Sequence, residues 1–374
     1  MTKNKTRRGN GIKKNINCIV ISIFTLVMFI LNLTGGLGRA DRSTLVRIAY
    51  SIILAVSLNL VVGFLGELSL GHAGFMCIGA YIGCYFANFM RATIIDNDLI
   101  VLFVSMIVGG IFAAIFGFII GLPALRLKGD YLAIATLAFG EIVRNIFKNL
   151  PLFGGASGLI TNTYPEKDLF FIAFIVVIVI ILLSQNFIRS KHGRAVTAIR
   201  DNEIAAKAMG INITYYKLFT FMLAAFFAGI AGVLYGQSFG LIKQDTFSYN
   251  YSIEILVMVV LGGMGNINGS IIAATLITYV NITLQSQLSG ELSAVKLVVY
   301  AIVLIVAILF NNAPAFNNLK EKLSVKNRKN TNSSKDDDAE WNRITTKIKM
   351  NEMLSLDMQS DGSANPDKDS REDN

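Results

Sequence analysis

Long apolar runs dominate the chain between residues 17 and 311, and short polar stretches separate them. Three of these runs carry no charge: 27 residues from Leu99 to Leu125, 25 from Leu218 to Ile242, and 36 from Ile255 to Gly290. Each exceeds the roughly 20 apolar residues that an α-helix needs to cross a bilayer. The pattern predicts a multi-span helical membrane protein, since a β-barrel would show short alternating segments instead.

The complete pattern predicts an all-α polytopic membrane protein with about 8–10 transmembrane helices, including spans near 17–33 and 295–311. Three parts are expected: a basic cytoplasmic tail at 1–16, a transmembrane domain at 17–312, and a polar, acidic tail at 313–374. The composition of the last part predicts disorder. The segments 66–90 and 131–148 are Gly-rich or charged, and either could be re-entrant instead of spanning.

Composition supports a membrane protein and assigns the charge to particular parts. The chain has 374 residues, of which 53% are hydrophobic and 16% charged, whereas about a quarter are charged in soluble domains. Residues 1–330 carry 28 basic and 14 acidic side chains, and residues 331–374 carry 6 and 11. We interpret the basic excess as positive-inside bias, not as a nucleic-acid surface. With the N-terminal tail in the cytoplasm, the first span places Arg39, Arg42 and Arg47 on the outer side of the membrane, against this bias.

A charged segment interrupts the apolar pattern between residues 189 and 217. Within it, Asp201 or Asn202 can cap a helix that opens with Glu203, an acidic residue placed favourably for the helix dipole. Gly210 follows an alanine-rich run and is typical of a helix C-terminus. We expect a short cytoplasmic helix at 203–210 whose small residues fit a partner's groove. A plain amphipathic surface helix is the alternative. The residues expected to couple this helix to a partner are Arg200, Glu203, Ala205, Ala206 and Gly210.

Two Gly-rich segments inside apolar runs, GELSLGHAG and GGMGNINGS, predict broken helices in the two halves of the chain. Broken transmembrane helices are tolerated where they line a cavity, although glycine for close helix packing is an equally good explanation. Intramembrane ionisable residues are functional candidates by default, and Glu67 and Glu254 have no obvious local partner. The candidate residues for a translocation path are Glu67, Ser69, Gly71, His72, Glu141, Glu254, Gly262 and Gly263.

Structural roles compete with a path-lining role at two of these positions. Glu141 and Arg144 are three residues apart and can pair on one helix face. His72 could accept a proton or contact a substrate, but we favour a histidine that is hydrogen-bonded between helices.

Enzyme chemistry finds little support in the chain. There are only two histidines, and none of the three cysteines has metal-ligand spacing, so we expect no metal and no catalytic residues. Ser157 in GGASGL resembles an intramembrane-protease serine, but we place His192 on the opposite face of the membrane, out of its reach. The chain contains no G-x-x-x-x-G-K-[ST] loop, so we expect no cofactor, and any ATP would be bound by a separate subunit.

Five blocks in the chain resemble the permease subunits of the high-affinity branched-chain amino-acid ABC importers, and among these the longer of the two paired permeases. The blocks are LNLVVGFLGELSLGHAGFMCIGAYIG (58–83), PALRLKGDYLAIATLAFGEIVR (123–144), GGASGL (154–159), HGRAVTAIRDNEIAAKAMGINITYYKLFTFMLAAFFAGIAG (192–232) and SIEILVMVVLGGMGNINGSIIAA (252–274). Ala205, Ala206 and Gly210 match the family's ATPase-docking pattern. One departure is Glu67, where relatives often have glutamine.

The resemblance implies a multi-pass permease in the lipid of a bacterial inner membrane. It implies three kinds of partner: a second permease subunit, two ABC ATPase subunits and a periplasmic substrate-binding protein, with no nucleic acid. The expected function is translocation of branched-chain or related amino acids by alternating access, driven by ATP. The alternative is a self-contained, ion-coupled secondary transporter or channel for a small polar solute, using Glu67, His72 or Glu254.

Overall fold

The computed structural model describes residues 38–93, 97–127 and 129–287 of the chain. The expected spans near 17–33 and 295–311, and both predicted tails, lie outside these residues. The α-helices of the described part are α1 (Arg39–Asn59), α2 (His72–Thr93), α3 (Asp98–Ala124), α4 (Asp130–Asn149), α5 (Glu166–Arg189), α6 (Lys191–Asp201), α7 (Glu203–Ala208), α8 (Ile213–Phe239), α9 (Tyr249–Gly262) and α10 (Ile267–Gln287).

Five helical segments of this part are long and apolar enough to cross a membrane. They are Ala40–Leu65, His72–Thr93, Asp98–Ala124, Asp168–Arg189 and Ile213–Phe239. The predicted all-α polytopic membrane fold is confirmed. Helix α4 has 20 residues, but its four charged residues keep it outside this group, and α9 and α10 contribute shorter apolar stretches.

Helix α8 lies at the centre of the bundle, where it packs mainly against α2 and α3 and also contacts α1. Glycines permit this packing because a side chain would separate the helices. A Cβ at Gly79 on α2 would overlap the backbone of Gly229 on α8, and a Cβ at Gly232 would overlap the carbonyl of Met76. The backbones of α2 and α8 therefore touch directly.

Helix α3 covers one side of this core. Gly109, Gly110 and Gly117 on one face lie against side chains or backbone of α8. The opposite face is apolar and exposed; its large exposed residues include Phe103, Ile107, Ile111, Ile115, Phe118, Ile119 and Leu122. An apolar face of this length suits hydrocarbon, in which exposed leucine and isoleucine carry no penalty.

Two breaks in the helices lie where the Gly-rich segments predicted them. After α1 the chain winds as a π-helix over Leu60–Leu65, and Gly66 adopts a left-handed φ of 82°. Helix α2 then begins at His72, so the non-helical part of the predicted segment 66–90 is only six residues long. The second break is the turn between Gly262 and Ile267, in which Gly263 and Gly265 have φ of 88° and 79°.

The opposite end of the bundle from α6 and α7 carries a small β-ladder. β1 (Leu159–Ile160) and β2 (Leu241–Ile242) pair antiparallel, with Leu159 opposite Ile242. The GGASGL segment before β1 forms the expected turn, with positive φ at Gly154, Gly155 and Gly158. Helix α5 separates Ser157 from the exposed His192, and its 24 residues span about 36 Å at 1.5 Å per residue.

Candidate functional site

The charged segment folds as two short helices, α6 and α7, joined at a sharp corner. The side chain of Asn202 caps α7 by accepting a hydrogen bond from the Ala205 N–H at 3.0 Å. Helix α7 ends at Ala208, and Gly210 follows with a φ of 80°. The predicted short helix is therefore present, capped by Asn202 and closed by the left-handed Gly210.

Helix α7 is held to the bundle on one side and open on the other. Ala206 is buried, whereas the side chains of Ile204 and Met209 are 84% and 83% exposed. Ala205 and Lys207 are exposed as well. Helix α7 and the residue that follows it therefore present two large apolar side chains to solvent.

Lys217 joins three separate elements at this end of the bundle. It lies in the second turn of α8 with its side chain 5% exposed, and its Nζ donates to Glu67 Oε1 at 2.5 Å. The same Nζ lies 3.4 Å from Glu203 Oε2 on α7. The lysine therefore connects α7, the segment between the π-helix and α2, and the central helix α8.

Arg200 makes a second connection, from the end of α6 to the π-helix. Its Nη1 donates to the carbonyl oxygen of Gly63 at 2.9 Å, while Nε and Nη2 bind Asp201 Oδ1. A Cβ at Gly66 would come within 2.7 Å of Arg200 Cγ. The left-handed glycine thus makes room for the arginine stem beside the π-helix.

The two helix breaks meet each other in the interior. Asn59, fully buried at the end of α1, accepts the N–H of Gly265 at 2.9 Å. Its amide nitrogen donates to Ser270 Oγ on α10, also at 2.9 Å. Gly262 and Gly269 lie so close that a Cβ on either would overlap the backbone of the other. The predicted path residues Gly262 and Gly263 therefore form a tight turn joined to the first break through Asn59.

The residues between the π-helix and the start of α2 are held by neighbouring helices. The preferred interpretation of His72 is confirmed: its Nε2 lies 2.7 Å from Ser57 Oγ on α1, and both are buried. Gly71 packs against the carbonyl of Thr136 on α4. Ser69 is buried, and its hydroxyl has no hydrogen-bond partner within the described part of the chain.

Glu141 and Glu254 have different surroundings from Glu67. Glu141 pairs with Arg144 at 2.8 Å, as the spacing suggested, and its other oxygen accepts the N–H of Tyr249 at 3.0 Å. Glu254 accepts a hydrogen bond from Asn281 at 2.8 Å on α10. The predicted path residues thus occupy three separate local environments. Across residues 38–93, 97–127 and 129–287, no group of three His, Cys, Asp or Glu side chains could hold a metal ion.

Sequence reasoning missed Lys217 and Asn59, the residues that join these parts. Lys217 and Glu67 are 150 positions apart, and Asn59 and Gly265 are 206 apart. The available signals were indirect: Lys217 is the last charge before a 25-residue apolar run, and Asn59 is a polar residue inside one. Glu67 has no oppositely charged partner near it in the sequence, but in the fold Lys217 is its partner.

Comparison with known proteins adds the family. Residues 42–308 match the family model described as "Branched-chain amino acid transport system / permease component". This chain belongs to that family. The resemblance drawn from the five sequence blocks is thereby confirmed.

The similar proteins are permeases from bacteria and an archaeon. The chain is 34% identical over 273 residues to the high-affinity branched-chain amino acid transport system permease protein LivM of Escherichia coli, covering 64% of this chain and 62% of that protein. It is 28% identical over 252 residues to the probable LivM of Methanocaldococcus jannaschii, covering 58% and 73%. It is 22% identical over 260 residues to LivH of Salmonella typhimurium, covering 64% and 83%. The chain thus spans a little under two thirds of the E. coli LivM.

Proposed function

We propose that this chain is the permease subunit of an ATP-driven importer that moves branched-chain or related amino acids across a bacterial inner membrane. Beyond the family match, the observation that supports this most is the connection of α7 to the bundle. Its exposed Ile204 and Met209 offer a docking surface. Glu203 on the same helix contacts Lys217 of the central helix α8.

Under this proposal the energy comes from other chains. The sequence has no phosphate-binding loop, so two separate ATPase subunits would bind ATP and this subunit would need no cofactor of its own. Chains named LivH are also similar to this one, which supports pairing with a second permease of related fold. A periplasmic binding protein would deliver the amino acid and set most of the selectivity.

The contacts suggest how movement of α7 would reach the interior. Displacing α7 would carry Glu203 and pull on Lys217, which also holds Glu67 beside the first break. Displacing α6 would act through Arg200 on Gly63 in the π-helix. Because Asn59 bonds Gly265, the second break would move with the first. We propose that these two breaks open the path alternately to the two sides.

The residues of that path would have unequal roles. Gly71 and Gly262 would let the backbones approach, and Gly263 would supply the positive φ of the turn. Ser69 offers a buried hydroxyl beside the first break. Glu67 would act in the gate through its pair with Lys217. The remaining candidates of the proposed path are His72, Glu141 and Glu254.

The docking surface can be tested without disturbing the fold. Ile204→Glu and Met209→Glu each place a charge at a highly exposed position, so the bundle should still form. We expect affinity-tagged wild-type chain, extracted gently from its native membrane, to bring down Walker-motif ATPases identified by mass spectrometry, and both variants to lose them. Ile160→Glu, on an exposed apolar residue of β1, is the matched control and should retain them.

Transport assays separate this proposal from an ion-coupled transporter. Proteoliposomes that contain the complex and its binding protein should take up leucine only when ATP is present on the side of the membrane where the ATPase subunits lie. A chain that purifies alone and accumulates leucine from a proton or sodium gradient would refute the importer. In that case the buried pair of His72 and Ser57, and Glu67, would be the first residues to examine.

A further inference from the structure

A cavity of about 330 Å³, partly open to its surroundings, lies among α1, α8, α9 and α10. Arg47 and Tyr50 line it from α1, Tyr251 and Glu254 from α9, and Thr278 and Asn281 from α10. Apart from Glu254, none of the proposed path residues is among the described residues that line it. The docking helix and the two breaks are therefore separate features from this cavity.

Among the described residues that line this cavity, Arg47 is the one cation and Glu254 the one anion. Arg47 lies within the candidate span Ala40–Leu65, and its guanidinium carbon is 4.5 Å from the ring centroid of Phe239. Glu254 already accepts from Asn281, and a carboxylate has further lone pairs for other donors. Charged side chains inside a membrane are costly and generally mark a binding or transport site. Two opposite charges on one small cavity suit a ligand that itself carries both.

The walls between the charges are aromatic and weakly polar. Tyr50 is buried and meets Tyr235 edge-on at 5.8 Å between ring centroids, and Phe239 completes the wall on α8. The Thr278 hydroxyl is buried and has no hydrogen-bond partner among the residues that the structure describes. The cavity is therefore lined by a mixture of polar groups and aromatic rings, which suits a small ligand that has charged groups and an apolar part.

We propose that this cavity binds a small zwitterion, with its anionic group at Arg47 and its ammonium at Glu254. The planar guanidinium suits a carboxylate or phosphate, and an ammonium can add to the hydrogen bonds that Glu254 accepts. Two sources share this chemistry: a free α-amino acid with an apolar side chain, and a lipid headgroup that carries a phosphate and a primary amine. With an amino acid as the ligand, this proposal rests on the proposed function, because Glu254 is also one of its path residues.

Radiolabelled leucine is the first probe. The full chain, with whatever subunits co-purify but without a periplasmic binding protein, is placed in nanodiscs of phosphatidylglycerol, which has no ammonium. Saturable leucine binding assigns the site to a free amino acid. Leucinamide, which lacks the carboxylate, and 4-methylpentanoate, which lacks the ammonium, should each compete at least tenfold more weakly than leucine.

Variants tie that binding to the cavity. Arg47→Gln and Glu254→Gln should each weaken leucine binding at least tenfold, and each should abolish the preference over one analogue: Arg47→Gln over leucinamide, Glu254→Gln over 4-methylpentanoate. Arg91→Gln and Asp98→Asn remove the charges of an ion pair outside the cavity and should bind leucine as the wild type does. Thr278→Val keeps the side-chain shape, so a weaker affinity without a lower melting temperature would report the hydroxyl's contact with ligand.

The remaining outcomes are decisive in the same assay. If leucine does not bind but phosphatidylethanolamine is retained through purification in an Arg47-dependent manner, the zwitterion is a lipid headgroup. If neither binds, or if leucine binds equally well to Arg47→Gln and Glu254→Gln, the proposal is wrong. Failure of ATP-driven uptake would refute the importer but would leave this binding result unchanged, so the two proposals fail separately.

Discussion

The side-chain oxygen of Asn59 accepts the backbone N–H of Gly265, 206 positions further along the chain. Asn59 ends α1 just before the π-helix, and Gly265 lies in the turn between α9 and α10. A single buried amide therefore fixes the two interruptions of the bundle against each other. Any rearrangement of one break must break this bond or carry the other break with it.

Replacing Asn59 should remove both hydrogen bonds that its side-chain amide makes. Asn59→Leu leaves the Gly265 N–H and the Ser270 hydroxyl without this partner, and an unsatisfied buried group costs about 1–3 kcal/mol. We expect a lower apparent melting temperature and faster hydrogen exchange in residues 262–270. A double-mutant cycle with Ser270→Ala should show a coupling energy of about 0.5–3 kcal/mol. Strict additivity would contradict the direct contact.

Removing the Lys217 charge should be among the most damaging single changes at the α6–α7 end. Lys217→Met leaves Glu67, whose side chain is 13% exposed, without its cation. Breaking a buried ion pair on one side costs about 3–5 kcal/mol. Thermal unfolding in detergent should show the loss, and the double variant Lys217→Met with Glu67→Gln should recover part of it.

The exposed pair of Arg200 and Asp201 provides the comparison for Lys217. Asp201→Asn breaks an ion pair whose side chains are 39% and 66% exposed, and such pairs contribute about 0–1 kcal/mol. Its melting temperature should stay close to that of the wild type. An equal decrease in melting temperature for Asp201→Asn and Lys217→Met would show that burial does not distinguish the two ion pairs.

Gly71 and Gly140 form a matched test of close helix approach. A Cβ at Gly71 would overlap the carbonyl of Thr136, whereas a Cβ at Gly140 would meet its nearest neighbour, Gly71 Cα, at an ordinary 3.5 Å. Gly71→Ala should therefore cost about 1–3 kcal/mol of stability. Gly140→Ala should be neutral or stabilising by up to about 1 kcal/mol, since alanine favours a helix interior. The reverse order in a thermal-stability assay would contradict this packing.

Arg200→Met should loosen the π-helix without unfolding the bundle. It removes a charged donor from the Gly63 carbonyl, a hydrogen bond of about 1.5–3 kcal/mol. Hydrogen exchange in residues 60–66 should then rise about tenfold or more, since about 1.4 kcal/mol is a factor of ten. Arg194→Met, on an exposed residue of α6, is the control. Unchanged exchange in Arg200→Met would exclude a stabilising role for this contact.

Local signals predicted several of the helices and some of their ends. The apolar runs gave the spans, Asn202 and Gly210 bounded α7, and Gly262 and Gly263 marked the second break. The pairing of Glu141 with Arg144 was also predictable, because the residues are three apart on one helix. In each case the physical cause acts within a few positions of the chain.

Contacts made by distant residues could not be predicted in this way. Nothing near Glu67 in the sequence indicates Lys217, because the partner is supplied by the packing of α8. Arg47 conflicted with the expected charge bias; in the fold it packs over Phe239 and lines a cavity between four helices. The π-helix was missed as well, since Leu60–Leu65 has the apolar composition of an ordinary helix.

The π-helical winding of Leu60–Leu65 determines which donors reach the carbonyl oxygen of Gly63. In an ordinary α-helix the Gly63 carbonyl would accept the N–H of Glu67, four residues on. Here the Glu67 N–H bonds Val61 instead, and Arg200 takes the Gly63 oxygen. Winding this segment as an ordinary α-helix would bring the Glu67 N–H to the same oxygen, which could accept from both donors because a carbonyl has two lone pairs. The π-helix instead leaves the Gly63 oxygen to Arg200, so rewinding these six residues would change the hydrogen bond that holds the end of α6.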